Sequence, residues 1–335
     1  MKQYLQALLE CQDLQETEMG EAFDVIMSGE ATPAQIAGFI VALRMKGETV
    51  DEIAGGAASM RRHAVRIDTG GAPVVDTCGT GGDDSGSFNI STAAAIVTAG
   101  AGVPVAKHGN RAISSACGSA DVLMALGVNL DIPPEQVEDC VREAGIGFLF
   151  APKLHPAMKY AMGPRKELGV RTIFNMLGPL TNPAGARGQI LGVFSAELTE
   201  PFAEVLGRLG SRRAFVVHGN DGMDEMTTTA PTRVSEWADG RVKTYAFDPL
   251  RFIDDYATAA DLKGGDPETN AGIIRAVLAG EKGPARDIVC LNAAAAIVAG
   301  EKADSLDAGW KLANESIASG AASQALEKLI ACSMR

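Results

Sequence analysis

Seventeen residues, DTCGTGGDDSGSFNIST at 76–92, hold four glycines, three aspartates and six hydroxyl side chains directly after the apolar stretch 72–75. A strand that runs into glycines and then into a helix gathers free backbone N–H groups at a helix N-terminus, a place suited to phosphate oxygens. Gly79-Thr80-Gly81-Gly82-Asp83 would make that turn, with the helix starting near Ser91. No Gly-Lys-Ser/Thr follows, which excludes a Walker loop, and Asp84 stands where the dinucleotide fingerprint needs its third glycine. A plain tight turn before a helix capped by Ser91 or Thr92 fits the same residues equally well.

A second polar loop, KHGNRAISSACGS at 107–119, follows the short apolar stretch VPVA. Lys107 can supply a point charge to phosphate, Arg111 a planar fork, and Ser114, Ser115 and Ser119 hydrogen bonds. Taken alone, these are also ordinary solvated loop residues; beside Asn89, Ser91 and Thr92 they would close a cleft. Asp224 and Glu225, in HGNDGMDEMTT, are hard oxygen donors of the kind that hold Mg²⁺ together with substrate phosphates. In so acidic a chain, composition alone favours a mere acidic turn, and Asn220-Asp221-Gly222 is itself a turn signal. Arg165, in MGPRKELG, suits either a bidentate carboxylate clamp or an exposed helix face. His155, before Pro156, fits a loop. No GxSxG elbow and no Cys beside a His appears, which favours chemistry without a covalent nucleophile.

These loops need strands and helices to aim them. Residues 1–65 read as helices: Thr32-Pro33-Ala34-Gln35 and Thr49-Val50-Asp51-Glu52 are capping boxes, and Gly47 is a stop. From residue 72, short β-branched runs (APVVD, VPVAK, GFLFA, QILGVFS, AFVVHG) alternate with helical stretches, which implies crossover connections and a largely parallel sheet. Both polar loops then leave C-terminal strand ends, the usual ligand edge of such a sheet. TRVSEWADGRVKTYAF reads as two strands around Ala238-Asp239-Gly240, and the tail returns to helices. The expected fold is α/β: a small N-terminal all-helical domain plus a large domain with a mainly parallel central sheet flanked by helices. Expected boundaries are 1–70 for the helical part, with 162–185 packing on it, and 71–161 plus 186–335 for the α/β part.

Composition narrows the function. The 335 residues are 46% hydrophobic, enough for a large core, and the net charge of −12 argues against nucleic acid or an anionic membrane as partner. An anionic ligand would need local positive charge, and Lys107, Arg111, Lys153, Lys159, Arg165, Lys166 and Arg171 fall in one third of the chain with His108 and His155. The first 23 residues lack a signal peptide's apolar core, and no stretch approaches the roughly 18 apolar residues of a membrane span. Six scattered cysteines signal neither zinc nor disulfides, so a reduced, cytoplasmic setting is expected.

GTGGD at 79–83, FNIST at 88–92, KHGNRAISS at 107–115, GSADVLMALGVNL at 118–130, HPAM at 155–158, GPRKELGVRTIFNMLGPLTNPA at 163–184 and MDE at 223–225, in this order, closely resemble the anthranilate phosphoribosyltransferases. The resemblance extends to SGEATPAQIAGFIVALRMKGET near the N-terminus and covers nearly the whole chain. It implies transfer of phosphoribose from phosphoribosyl pyrophosphate to the amine of anthranilate in tryptophan biosynthesis, with Mg²⁺ as cofactor and a homodimer as assembly. It also implies roles by position. Gly79, Thr80, Gly81, Gly82, Asp83, Ser87, Asn89, Ile90, Ser91, Thr92, Lys107, Ser115 and Ser119 would hold phosphoribosyl pyrophosphate. Gly79, His108, Asn110, His155 and Arg165 would hold anthranilate, and Ser91, Asp224 and Glu225 the metal.

Four residues depart from the pattern: Asp84 replaces a common Gly, Ser87 a frequent Thr, and Cys78 and Cys117 the more usual Val and Ser. The rivals are a pyrimidine nucleoside phosphorylase and a non-catalytic nucleic-acid-binding relative of the same fold; KHGNR and GPRKELGVRTIFN weigh against the first, the acidic charge against the second.

Overall fold

The computed structural model of the chain describes residues 1–83, 85–112 and 116–335. Four helices open it: α1 (Lys2–Leu9), α2 (Glu16–Met27), α3 (Pro33–Lys46) and α4 (Val50–Arg62). Both capping boxes form. Gln35 N donates to Thr32 Oγ1 at 3.3 Å while Thr32 N donates to Gln35 Oε1 at 3.0 Å, and Gly47 ends α3 at φ 91°. Glu52 does more than cap α4: it is fully buried, accepts from the Leu14 amide at 3.0 Å and pairs with Lys46 at 3.0 Å, so its charge is satisfied inside the module.

The alternating part follows as β1 (Val75–Gly79), α5 (Ile90–Gly100), β2 (Val105–Gly109), α6 (Ser119–Ala125), α7 (Pro134–Ala144) and β3 (Ile146–Phe150). Three helices interrupt it, α8 (Ala151–Leu154), α9 (Lys159–Leu168) and α10 (Ile173–Leu177). It resumes with β4 (Gly188–Gly192), α11 (Thr199–Arg208), β5 (Arg213–Gly219), β6 (Thr232–Ala238) and β7 (Arg241–Phe247). Helices α12 (Pro267–Leu278), α13 (Pro284–Ala299), α14 (Leu306–Ala318) and α15 (Ala321–Ser333) close the chain.

The seven strands run in the order β3-β2-β1-β4-β5-β6-β7, with β3 to β5 parallel and β6 and β7 antiparallel. From β1 the chain builds outward to β3, then returns to β1's other side to lay down β4. The order therefore reverses between β1 and β4, where open α/β sheets hold ligands beyond their strand ends. At the far edge, Asp239 (φ 52°) and Gly240 (φ 75°) form the two-residue turn between β6 and β7, both left-handed as a primed hairpin turn requires.

One core surrounds α5 and α13, whose Ala- and Val-rich sequences are buried on nearly every face. A second unites the N-terminal helices with Ile173, Phe174 and Leu177 of α10 and with Leu191, Phe202 and Val216. Helices α9 and α10 thus pack on α2, α3 and α4, while the same core continues onto one face of the sheet. Arg61, at the end of α4, ties the parts together by donating to the Leu180 carbonyl at 2.7 Å and the Leu209 carbonyl at 2.9 Å.

Candidate active site

The glycine-rich loop leaves β1 at the reversal point, and its glycines are needed for close approach and for backbone conformation. A Cβ on Gly79 would strike the Asp224 carboxylate, and one on Gly192 would run into the Asp224 carbonyl, so the loop after β5 lies directly on the ends of β1 and β4. Gly81 (φ 65°) and Gly82 (φ 73°) are left-handed. The Thr80 amide donates to the Gly192 carbonyl at 2.9 Å, and its hydroxyl accepts from the Phe194 amide at 3.0 Å, which places that side chain in the loop's scaffold. The Gly81 amide donates to Asp224 Oδ2 at 2.8 Å. The amides of Gly82 and Asp83 have no acceptor among the described residues and remain open to a ligand.

Beneath the loop lies a buried ionic network. The Lys107 ammonium donates to the Thr77 carbonyl and, at 3.2 Å, to Ser91 Oγ. Ser91's amide donates to Glu225 Oε1 at 3.1 Å. Asp76, fully buried, accepts from the His108 amide at 3.0 Å and from Asn182 Nδ2 at 2.7 Å. Burial lowers the Lys107 pKa against the opposing pull of Asp76, and burial raises Asp76 against the pull of Lys107. Asp224 is pushed up to about 7 by burial and then by neighbouring Asp83; Glu225 is raised well above the carboxylate range by burial and by Asp224.

Ser91, Asp224 and Glu225 thus come together, as a hydroxyl and two carboxylates whose negative charge their surroundings resist. No group of three or more His, Cys, Asp or Glu side chains among the described residues makes a ready metal cage. The donor set fits Mg²⁺, which takes one or two carboxylates and fills its remaining positions with water and phosphate oxygens. A cation there would also offset the charge that raises both carboxylates.

The second loop closes the cleft's other side. Gly109 leaves no room for a Cβ against Ser119 Oγ, which donates to the Asn110 carbonyl at 3.2 Å. Asn89, not Ser91 or Thr92, occupies the cap position of α5, and its side chain is used elsewhere: Nδ2 donates to the Cys117 carbonyl at 3.1 Å, and Oδ1 accepts from Asn270 Nδ2 at 2.9 Å. Ile90 is core, and Thr92 is buried with its hydroxyl unpartnered among the described residues. Ser87 pairs with Lys263, and the Gly264 amide donates to the Gly86 carbonyl at 2.9 Å, so the segment before α12 straps the loop. Asn270 was not legible as a site residue; a single Asn in a helix carries no local signal. Asp84, Ser114 and Ser115 lie outside the described residues.

The positive cluster suggested by the sequence divides. Arg111 faces Asp121 at 3.6 Å, Lys153 pairs with Asp131, and Lys159 lies over the Tyr160 ring. His108 and His155 meet, Nε2 to Nε2 at 3.1 Å, both buried, with pKa values pulled down to about 3 and about 4 chiefly by desolvation. Two neutral rings at that separation share one proton. Arg165, on α9, lies 5.2 Å from the centre of the Phe174 ring; burial lowers its pKa, and no side chain among the described residues pairs with it. Asn110 is exposed at the end of β2, its Oδ1 accepting from the Arg111 amide at 2.7 Å.

Residues 71–323 match the a/b domain of a glycosyl transferase family, and residues 2–64 match that family's helical bundle domain. The chain is 59% identical, over 98% of its length and 97% of the relative's, to the anthranilate phosphoribosyltransferase of Desulfosudis oleivorans. Its fold is similar to the crystal structure of anthranilate phosphoribosyltransferase (TrpD) from Thermus thermophilus, with a TM-score of 0.94, 47% identity and 99% of each chain covered. The enzyme from Saccharomyces cerevisiae in complex with PRPP and Mg is similar at a TM-score of 0.88 and 30% identity, covering 99% of this chain and 97% of that one.

Proposed function

The chain belongs to the anthranilate phosphoribosyltransferase family, and we propose from that membership how its own residues carry the reaction. It transfers 5-phosphoribose from phosphoribosyl pyrophosphate to anthranilate, a step in making tryptophan. The C1–N bond forms, the C1–O bond to pyrophosphate breaks, and the amine proton passes to solvent. Anthranilate's aromatic amine is unprotonated at neutral pH, so the larger barrier lies in the departure of pyrophosphate.

The open amides of Gly82 and Asp83 and the Lys107 ammonium would meet the charge that develops on the leaving group. Asn89, Ser91, Thr92 and Ser119 would position the phosphoribose. Asp224, Glu225 and Ser91 would hold Mg²⁺, which supplies charge neutralisation at pyrophosphate when bound. Arg165 would clamp the anthranilate carboxylate, while His108, Asn110 and His155 flank the ring. The observation that carries this reading is the pairing of two half-buried, charge-resisting carboxylates with a loop of open amides at one strand edge, since an anion that arrives with a cation suits both.

The test is direct. Anthranilate fluorescence should fall only when enzyme, phosphoribosyl pyrophosphate and Mg²⁺ are all present; no fall at high enzyme concentration rejects the reading. No helix among the described residues is long and apolar enough to cross a membrane, and we take the cytoplasm as the working location. We further propose a homodimer through the helical module, where Leu9 and Met45 are exposed; light scattering at the mass of one chain would reject it.

A further inference from the structure

Arg171 stands between α9 and α10, and its guanidinium reaches from that segment into the glycine-rich loop. Nη2 donates to the Gly82 carbonyl at 2.6 Å, and the guanidinium carbon lies 4.6 Å from the centre of the Phe194 ring. Both walls of this cradle belong to the loop's scaffold, because the Phe194 amide is bonded to Thr80 Oγ1. A Cβ on Gly82 would strike the guanidinium, so glycine there makes room for the arginine as well as for its own left-handed backbone.

The bond fixes more than one oxygen. The peptide between Gly82 and Asp83 is trans, so its carbonyl and its N–H point in opposite directions. Holding the Gly82 carbonyl on Arg171 turns the Asp83 N–H away from the guanidinium, and this is one of the two loop amides with no acceptor among the described residues. Without Arg171 the peptide is free to rotate, as glycine permits either hand, and the amide loses its preset direction. Arg171 also shares its segment with Arg165, and that segment packs on the N-terminal helices. One short stretch therefore touches the glycine-rich loop at one end and carries Arg165, which has no ion-pair partner among the described residues, at the other.

We propose that Arg171 is a positioning residue that couples the two substrate sites, presetting the loop amide for pyrophosphate and tying that state to the placement of Arg165. The proposal rests on the substrate assignment above. Because coupling between sites is reciprocal, it can be read from either ligand. In the wild type, saturating pyrophosphate with Mg²⁺ should tighten anthranilate binding by about fivefold or more.

Arg171→Ala should raise the KM for phosphoribosyl pyrophosphate about tenfold, the scale of one lost charged hydrogen bond. It should leave anthranilate affinity of the free enzyme within about twofold and abolish the effect of pyrophosphate on it. Arg171→Lys keeps a charge without the fork and should recover part of the coupling. Phe194→Leu, which spares the carbonyl bond, should weaken coupling in the same direction, and serves where Arg171→Ala does not fold. Absent coupling in the wild type, or coupling unchanged in a folded Arg171→Ala, overturns the proposal. A wild type that fails to consume anthranilate with phosphoribosyl pyrophosphate and Mg²⁺ overturns the substrate assignment instead.

Discussion

The Ser91 amide donates to Glu225 Oε1 at 3.1 Å, joining the first turn of α5 to the loop after β5 across 134 positions of sequence. Ser91 Oγ meanwhile accepts from Lys107, so one serine touches a carboxylate through its backbone and an ammonium through its side chain. The helix N-terminus supports a negative group at this point. Glu225 takes one backbone hydrogen bond there and Asp224 one from the Gly81 amide, yet burial and neighbouring carboxylates raise the pKa of both.

The raised acidic pair is testable in two ways. Asp224→Asn with Glu225→Gln should raise the Mg²⁺ concentration needed for half-maximal rate roughly ten- to a hundredfold. Stability without metal should move the other way. An acid whose pKa is raised on folding costs stability once the pH exceeds its unfolded value, and at pH 8 Asp224 is past even its folded value of about 7. The amide removes that cost, so the metal-free variant should melt higher than the wild type at pH 8. An unchanged Mg²⁺ titration removes both residues from the metal site.

How far the sequence could be read follows from which forces are local. Gly81 and Gly82 were legible because a left-handed turn leaves a composition signature, and the capping boxes of α3 and α4 because a cap involves near neighbours. The strand alternation gave the parallel sheet, since crossover helices must lie between parallel strands. The acidic pair could not be told from a surface turn, because what distinguishes it is the close packing of Asp224 against Gly79 and Gly192, far away in sequence. Arg111 could be read as a phosphate fork or a solvated charge, and its neighbour Asp121 comes from a separate helix; Asn89 holds the cap position of α5 with no side-chain cap bond, its side chain going to Cys117 and Asn270 instead. Arg61's reach to two distant carbonyls leaves no trace in its neighbours.

The histidine pair predicts an acid-sensitive fold. His108 and His155 titrate near 3 and 4 in the folded chain, against an ordinary value of 6.5. Below pH 6.5 the unfolded chain takes up protons that the folded chain refuses, so stability falls as pH drops through the window from 6.5 towards 4. Each histidine adds a slope of up to ~1.4 kcal/mol per pH unit. His155→Gln keeps a donor for His108 and removes one titrating group, so urea unfolding between about pH 5 and 6 should show a shallower slope than the wild type. Identical slopes would place the acid sensitivity elsewhere.

Arg165 offers the sharpest test of acceptor recognition. Its guanidinium is partly desolvated against Phe174 and has no carboxylate partner among the described residues, an arrangement that costs stability unless an anion arrives. A planar fork matches a carboxylate with two parallel bonds. Arg165→Ala should raise the KM for anthranilate by roughly thirtyfold or more, as for truncating one partner of a buried charge pair, while the affinity of the anthranilate-free enzyme for phosphoribosyl pyrophosphate stays within about twofold. Arg165→Lys keeps the charge without the fork and should fall between. Anthranilamide, which replaces the carboxylate with a neutral amide, separates charge reading from simple packing: its binding should be weak in the wild type and little changed by Arg165→Ala. If the variant weakens anthranilate and anthranilamide by the same factor, the guanidinium is packing against the ring, and the carboxylate must be met by another donor.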